Sequence, residues 1–243
     1  MDPDSASGTS PLPRWAGAVG WALTATAITA WLLVLVFPGA PARSGPNCTA
    51  TDGSCIGYPY TDAVDYVPGD FVWMVAAFLL GPLVAAVIAA LQVRVPRSRT
   101  ALGTLGLTFA GISAAVLMVD YYVQFTTVQT SLVKGELDGG LSVLSQYNPH
   151  GVFVALEDVG YFTMSLAFLL TGFALAATRR SERVLRRILI VVGALGVGAL
   201  PLLVATLGTE MEYSYEVLAL TVCWLGATAA GILVGLASRP YRA

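Results

Sequence analysis

Long uninterrupted apolar runs dominate the pattern of hydrophobic and polar positions along the chain. Six of these runs are long enough to cross the hydrocarbon core of a membrane, which takes about 20 residues of helix. They cover residues 15–37, 71–93, 101–123, 152–178, 188–207 and 217–238. The pattern therefore predicts an all-α fold: a polytopic membrane bundle of six transmembrane helices within a single domain, residues 14–243. Residues 1–13, rich in Pro, Ser and Gly, are predicted to form a disordered tail.

The charged residues are divided between the two sides of this predicted bundle. Of the 13 Lys and Arg residues, all but Arg43 and Lys134 fall in two connections and the two tails, whereas most of the 15 Asp and Glu residues fall on the other side. Cytoplasmic loops of membrane proteins retain Lys and Arg. Both termini are therefore predicted to be cytoplasmic, in a plasma membrane, and residues 38–70 and 124–151 are predicted to form two outer loops.

The composition supports the same fold class and excludes several functions. Hydrophobic residues make up 56% of the chain and charged residues only 12%, whereas ordinary soluble domains carry about 25% charged residues. The sequence contains no glycine-rich phosphate loop, no Gly-x-Ser-x-Gly motif and no zinc-binding cysteine set. We expect no cofactor and no nucleic-acid partner; the expected partners are membrane lipids and a small-molecule ligand.

Two cysteines lie in the first predicted outer loop, within the string NCTATDGSC. Because this loop faces an oxidising compartment, Cys48 and Cys55 are predicted to form a disulfide that closes a small loop. The alternative, a thiol redox pair, lacks the Cys-x-x-Cys spacing that such sites use. Cys223 lies inside the sixth span, where a small buried apolar role is expected.

Acidic and tyrosine side chains collect near the predicted outer ends of the third, fourth and sixth spans. Ionisable groups at membrane depth are costly and usually face the bundle interior, where they serve binding or proton movement. The sequence predicts a ligand-binding pocket formed by Asp120, Tyr121, Gln124, Glu157, Asp158, Tyr161, Tyr215 and Glu216. If the protein is an enzyme, the candidate catalytic residues are Asp120, Glu157 and Asp158.

The position of Asp120 is the main reason to expect these acids to converge. It starts a polar stripe at helical spacing, which consists of Asp120, Gln124, Thr127 and Ser131. The third helix is expected to project beyond the membrane until Gly135 or residues 139–140 break it. Near the C-terminal end of the apolar run, the charge of Asp120 opposes the helix dipole. The acids of the fourth and sixth spans are expected in first helical turns, where the dipole alone would explain them.

One stretch of the chain resembles a known group of proteins. The string SQYNPHGVFVALEDVGYFTMSLAFLL, following DYYVQFTTVQTSL, resembles a group of uncharacterised six-helix bacterial integral membrane proteins. The resemblance spans roughly residues 118–172 and rests on the Tyr-Asn-Pro-His-Gly turn, the adjacent Glu157 and Asp158, and the preceding Thr-Val-Gln element. It implies a six-span fold and an integral membrane location, and it transfers no reaction.

Three classes of function fit this pattern, and whether the protein is an enzyme stays open. The first is an outward-facing protein that binds or transports a small cationic or amphipathic ligand, with tyrosines supplying cation–π contacts. The second is an intramembrane enzyme of isomerase or terpene-cyclase type, using a carboxylic acid as proton donor to a lipidic substrate. The third is an accessory or scaffold protein, whose acids should face water. His150 is the single histidine, so no metal site is predicted.

Overall fold

The computed structural model describes residues 11–37, 43–45, 48, 55–138 and 140–238. Within these ranges all regular secondary structure is helical, and six helices are long and apolar enough to cross a membrane. The prediction of an all-α chain with six such helices is confirmed, and it suggests a multi-pass membrane protein. Residues 1–10 of the predicted tail, Gly139, Arg239 and Arg242 lie outside the described residues.

The described residues form six long and two short α-helices, along with shorter 3-10 and π-helical turns. The long helices are α1 (Ala16–Val36), α2 (Val72–Leu91), α3 (Thr100–Val123), α6 (Val152–Ala174), α7 (Arg180–Leu207) and α8 (Glu212–Ala237). The short helices are α4 (Gln129–Lys134) and α5 (Leu141–Leu144).

The long helices pack as a closed ring in the order α1, α2, α3, α6, α7, α8, with α8 returning to α1. Helices α6 and α8 also contact each other across the ring. Small residues permit the close approach of α1 and α8, since a Cβ atom added at Gly231 would lie 2.6 Å from the carbonyl oxygen of Gly20. The region where α3, α6 and α8 meet is therefore enclosed by protein, and the interior of a bundle is where ionisable side chains at membrane depth usually lie.

The arginine-rich turns and both described ends of the chain lie at one end of the bundle, here called the inner end. The backbone N–H of Ala176 donates to the carbonyl oxygen of Arg94, and the Arg94 guanidinium lies 3.0 Å from the Glu182 carboxylate. Leu12 and Ala237 line the same small cavity as Arg94 and Glu182. The two basic turns are thus joined directly, next to the first and last described turns of the chain.

Polar contacts join the two loops at the opposite end, here called the outer end. The Asp70 carboxylate accepts hydrogen bonds from the Arg43 guanidinium at 2.7 Å and from the Tyr147 hydroxyl at 2.9 Å. The His150 ring and the Glu212 carboxylate are 2.9 Å apart, which connects the start of α6 with the start of α8. These contacts hold the loops against the helix ends.

The sulfurs of Cys48 and Cys55 lie at disulfide-bonding distance, as predicted. The backbone N–H of Ile56 donates to the carbonyl oxygen of Arg43 at 2.7 Å, so the chain after Cys55 is fastened to the residue that contacts Asp70. Cys223 is a buried thiol in α8, in agreement with its expected role as a small core residue.

The third helix continues past the apolar run, as predicted, and ends at Gly135, which has a φ of 70° that favours glycine. Its polar stripe, however, does not continue. A π-helical turn over Gln124–Val128 inserts an extra residue into the helical register. As a result Thr127 is exposed, whereas the next residue, Val128, is buried.

The boundary between the fourth and fifth spans differs from the apolar runs. Helix α6 ends at Ala174 rather than at residue 178, and α7 begins at Arg180 rather than at residue 188. The Glu182 carboxylate accepts hydrogen bonds from the backbone N–H groups of Thr178 and Arg179, which satisfies donors at the start of α7. Hydropathy excludes the arginines from the span, but arginine is a good helix former.

Candidate functional site

A chain of hydrogen bonds lies at the meeting point of α3, α6 and α8. The Tyr121 hydroxyl donates to Glu157 Oε1 at 2.5 Å and lies 2.7 Å from the Tyr161 hydroxyl, and the Trp224 indole N–H donates to the Tyr161 oxygen at 2.8 Å. Because the proton of Tyr121 is directed to Glu157, Tyr161 must donate to Tyr121. The donors therefore all run toward Glu157, and all four side chains are buried.

Four carboxyl groups gather beside this chain. Glu157 and Glu216 lie within hydrogen-bonding reach of each other, and Asp120 and Asp158 interact electrostatically with both of them. Each of the four has a buried oxygen that accepts no hydrogen bond from an N–H or O–H group of the described residues. Two carboxyl groups can hydrogen-bond each other only when one carries a proton. A hydrogen bond between Glu157 and Glu216 would therefore need a proton on one of the two groups.

These carboxyl groups have no cationic partner among the described residues. The ion pairs within that part of the chain join Arg43 to Asp70, Arg94 to Glu182 and His150 to Glu212, and none includes the four acids. An ionised carboxylate that is buried without a counter-ion costs several kcal/mol or more. The site therefore has an unusual demand for positive charge, whether a proton or a bound cation supplies it.

A cavity of about 250 Å³ lies next to the acids, between α1, α2, the start of α6, α8 and the outer loops. Its aromatic and acidic lining consists of Trp31, Trp73, Tyr147, Phe153, Tyr213, Asp70 and Glu216, and the other polar lining residues are Arg43, Ser44, Gln146 and Thr221. Glu216 is thus the residue that belongs both to the cavity wall and to the carboxyl group cluster. The cavity and the buried acids form one continuous site.

The polar rim of the cavity is neutralised internally. Arg43 and Asp70 form an ion pair, and the Arg43 guanidinium also lies 4.1 Å from the centre of the Tyr66 ring. Burial, and then the adjacent Asp70 carboxylate, raise the pKa of the Tyr147 phenol well above its ordinary value. Tyr147 therefore stays a neutral hydrogen-bond donor to Asp70, and the rim presents little net charge to a ligand.

The structure brings six of the eight sequence-predicted pocket residues together. These are Asp120, Tyr121, Glu157, Asp158, Tyr161 and Glu216. Of the eight, only Glu216 is among the residues that line the cavity. Tyr121 and Tyr161 lie behind the wall as hydrogen-bonding partners of Glu157, so the predicted tyrosine lining is replaced by tryptophan, phenylalanine and other tyrosines.

The remaining two predicted residues serve other contacts. The Tyr215 hydroxyl donates to the carbonyl oxygen of Gly196 at 3.1 Å, which ties α8 to α7. The Gln124 amide donates to the carbonyl oxygen of Leu144 at 2.6 Å, which fastens α5 to the π-helical turn. Both side chains are buried and have structural partners at these atoms.

None of the clustered acids lies in the terminal turn in which the sequence analysis expected a helix dipole to act on it. Because α3 continues through the π-helical turn into α4, Asp120 lies far from the C-terminus of its helix. Helix α6 has no acidic residue in its first turn, and the acid in the first turn of α8 is Glu212 rather than Glu216. Dipole effects fade beyond the terminal turn, so they explain neither the position of Asp120 nor those of Glu157 and Glu216.

Sequence reasoning missed the tryptophans of the site. Trp31, Trp73 and Trp224 form a set of ring contacts, with centroids 5.3 Å apart for Trp31 and Trp224 and 6.1 Å apart for Trp73 and Trp224. Tryptophans near span ends are usually explained as interfacial belts. The available signal was the position of Trp224 well inside its span, where its N–H needs a partner.

Within the described residues, no group of three or more His, Cys, Asp and Glu side chains is arranged to hold a metal ion. Comparisons of the chain with protein-family models, curated proteins and solved structures gave no match. The resemblance to six-helix bacterial proteins therefore stays a prediction, and function must be argued from the site itself.

The hydrogen-bond chain can be tested by a pair of neighbouring substitutions. Tyr121→Phe removes the donor to Glu157 Oε1 and leaves a buried acceptor unsatisfied, which should lower the free energy of unfolding by about 1–3 kcal/mol. Tyr122→Phe is the control, because Tyr122 is 55% exposed. Thermal unfolding of the purified protein in detergent micelles measures both. Equal stability of the two variants would contradict the described network.

Proposed function

We propose that the cavity binds a small organic cation and that Glu216 is its counter-ion, in a membrane protein that serves binding or transport of such ligands. The observation that carries this proposal is the double position of Glu216. Its side chain lines an aromatic cavity, and its carboxyl group belongs to a cluster without a cationic partner among the described residues.

The charge around the cavity favours a cation over an anion. Arg43 and Asp70, the other two ionic residues of the lining, neutralise each other. Glu216 is then the one acidic residue of the described lining without a cationic partner there. Behind it lie three further acids, Asp120, Glu157 and Asp158. An anionic ligand would bring a further negative charge to this cluster, whereas a cation would compensate it.

The walls and the volume favour a compact, partly apolar cation. Faces of Trp, Tyr and Phe rings attract ammonium groups, with contributions of about 0.5–2 kcal/mol each. The cavity of about 250 Å³ is slightly smaller than the roughly 300–1,000 Å³ of pockets for drug-sized ligands. Val217 and Leu220 add an apolar patch to the lining, so an amphipathic amine also fits the proposal.

The other two classes of function receive less support. A scaffold protein has no need of buried acids, yet Glu157 and Asp120 are 0% and 1% exposed. An enzyme acting on a lipidic substrate would need a protonated carboxyl group as proton donor, and Glu157 or Glu216 could supply it. The aromatic walls beside Glu216 fit either function, but acids without a cationic partner among the described residues favour a positively charged ligand over a neutral lipidic one.

We further propose that the outer end of the bundle faces away from the cytoplasm, with both termini cytoplasmic and the protein in the plasma membrane. The support is the division of charge along the sequence. A second point of support is that Leu12 and Ala237 lie close to the basic turn at Arg94 and to Glu182. Exposed Leu and Val side chains such as Leu35, Val119 and Leu202 are proposed to contact membrane lipids.

The orientation is tested with two single cysteines at exposed positions. Glu136→Cys lies in the second outer loop and Arg97→Cys in an inner turn. In intact cells a membrane-impermeant maleimide should label position 136 and should reach position 97 only after permeabilisation, because the basic turns face the cytoplasm. The reverse labelling pattern would show that the proposed orientation is wrong.

The cation site is tested by isothermal titration of the purified protein with tetramethylammonium. Glu216→Gln should weaken binding by roughly tenfold or more, because a contact with a charged partner is worth about 1.5–3 kcal/mol. Glu210→Gln is the control, since Glu210 is an exposed acid just before α8 and lies outside the cavity lining, and this variant should bind as the unmodified protein does. Equal affinities for all three proteins, or no saturable binding by the unmodified protein, would contradict the proposal.

A further inference from the structure

We propose that a cation entering the cavity displaces the proton shared by Glu157 and Glu216, so that the site exchanges one cation for one proton. The inference rests on the proposed cation-binding function and specifies the activity of the same site. In this scheme Glu216 faces the ligand, whereas Glu157 holds the proton from behind and does not touch the ligand.

The geometry provides the proton. Glu157 is fully buried, with one oxygen accepting the short hydrogen bond from Tyr121 and the other receiving no N–H or O–H donor from the described residues. Glu216, within hydrogen-bonding reach, also has a buried oxygen that lacks such a donor. A proton between the two groups satisfies both oxygens and removes one of two buried negative charges.

The exchange balances in charge and in bonds. When an organic cation lies against Glu216, its positive charge takes the place of the proton's charge. The O–H bond of the shared acid then breaks, the proton passes to water in the cavity, and no covalent bond to the ligand forms. The total charge of the site stays the same, so neither state requires two uncompensated carboxylates in the enclosed bundle.

The hydrogen-bond chain stabilises the state that has lost the proton. Tyr121 donates to Glu157, Tyr161 donates to Tyr121, and Trp224 donates to Tyr161. Donors that all run toward one carboxyl group become charge-assisted once that group is ionised, and such bonds are roughly twice as strong as neutral ones. The chain gives Glu157 the means to keep a negative charge while Glu216 contacts the cation.

Other titratable groups surround the pair and share its electrostatic environment. From α3, α6, α8 and the outer loops these groups are Asp120, Tyr121, Asp158, Tyr161, Glu212, Tyr213, Asp70, Arg43 and Tyr147. Arg43 is the cation of this set and is paired with Asp70. The acids of the set add negative charge near the pair, which strengthens its hold on either a proton or a cation.

The test is isothermal titration with tetramethylammonium in two buffers of equal pH and different enthalpies of ionisation. Tetramethylammonium carries no exchangeable proton, so any proton released comes from the protein. The unmodified protein should release about one proton for each cation bound. Glu157→Gln should still bind the cation but release close to none, because its amide can donate to Glu216 without titrating. Glu210→Gln, a change at an exposed acid outside the cavity lining, should release as many protons as the unmodified protein.

A second measurement uses the unmodified protein alone and does not depend on how the variants fold. If one proton leaves on binding, the apparent Kd for tetramethylammonium should fall by up to about tenfold for each unit of increasing pH. Saturable binding that releases no proton and does not depend on pH would overturn the exchange and leave the cation site standing. Undiminished release by Glu157→Gln would overturn the assignment to this pair. No saturable binding would overturn the cation site itself.

Discussion

The buried carboxyl group of Glu157 is the constraint on which the centre of the structure depends. A carboxylate in an enclosed helical bundle needs hydrogen-bond donors, a counter-charge or a proton. No Lys, Arg or His side chain of the described residues pairs with Glu157. Tyr121, Tyr161 and Trp224 supply a line of donors from three different helices instead. The acid therefore depends on the packing of α3, α6 and α8 for its donors, and its hydrogen bonds in turn join these helices.

The same constraint connects the interior to the outer cavity. Glu216 stands between them, with the carboxyl pair on one side and the aromatic wall on the other. At the rim, Arg43 is held by Asp70 and by the Tyr66 ring, so the one rim cation of the described lining is already paired. We propose that this neutral outer part of the lining, next to the buried acids, favours binding of a cation. The proposed exchange requires in addition a replaceable proton on the pair of Glu157 and Glu216.

Much of the fold could be predicted from the sequence because span length is set by membrane thickness. The apolar runs gave six helices, and Gly135 marked the end of the third because its left-handed conformation favours glycine. The start of α7 at Arg180 was not predicted, because hydropathy carries no information about hydrogen bonds such as those that Glu182 accepts at the helix start. The π-helical turn was missed as well, because no residue type specifies it.

The sequence predicted the cluster of acids but not the residues that line the cavity. Acids at membrane depth point to a functional interior, and the acids on α3, α6 and α8 do lie together. Which side chains line the cavity depends on how each helix is rotated about its axis. Helices that are apolar on every face give little information about that rotation. Tyr215 therefore points to α7, whereas Trp31 and Trp73 occupy the cavity wall.

In the proposed exchange Glu157 and Glu216 share a proton that a bound cation replaces. Infrared difference spectroscopy of the protein with and without tetramethylammonium observes this proton directly, through the carbonyl stretch of a protonated carboxyl group. This band should decrease on binding in the unmodified protein, and Glu157→Gln should show no such change. Saturable binding with an unchanged carboxyl band in the unmodified protein would contradict the proposed exchange.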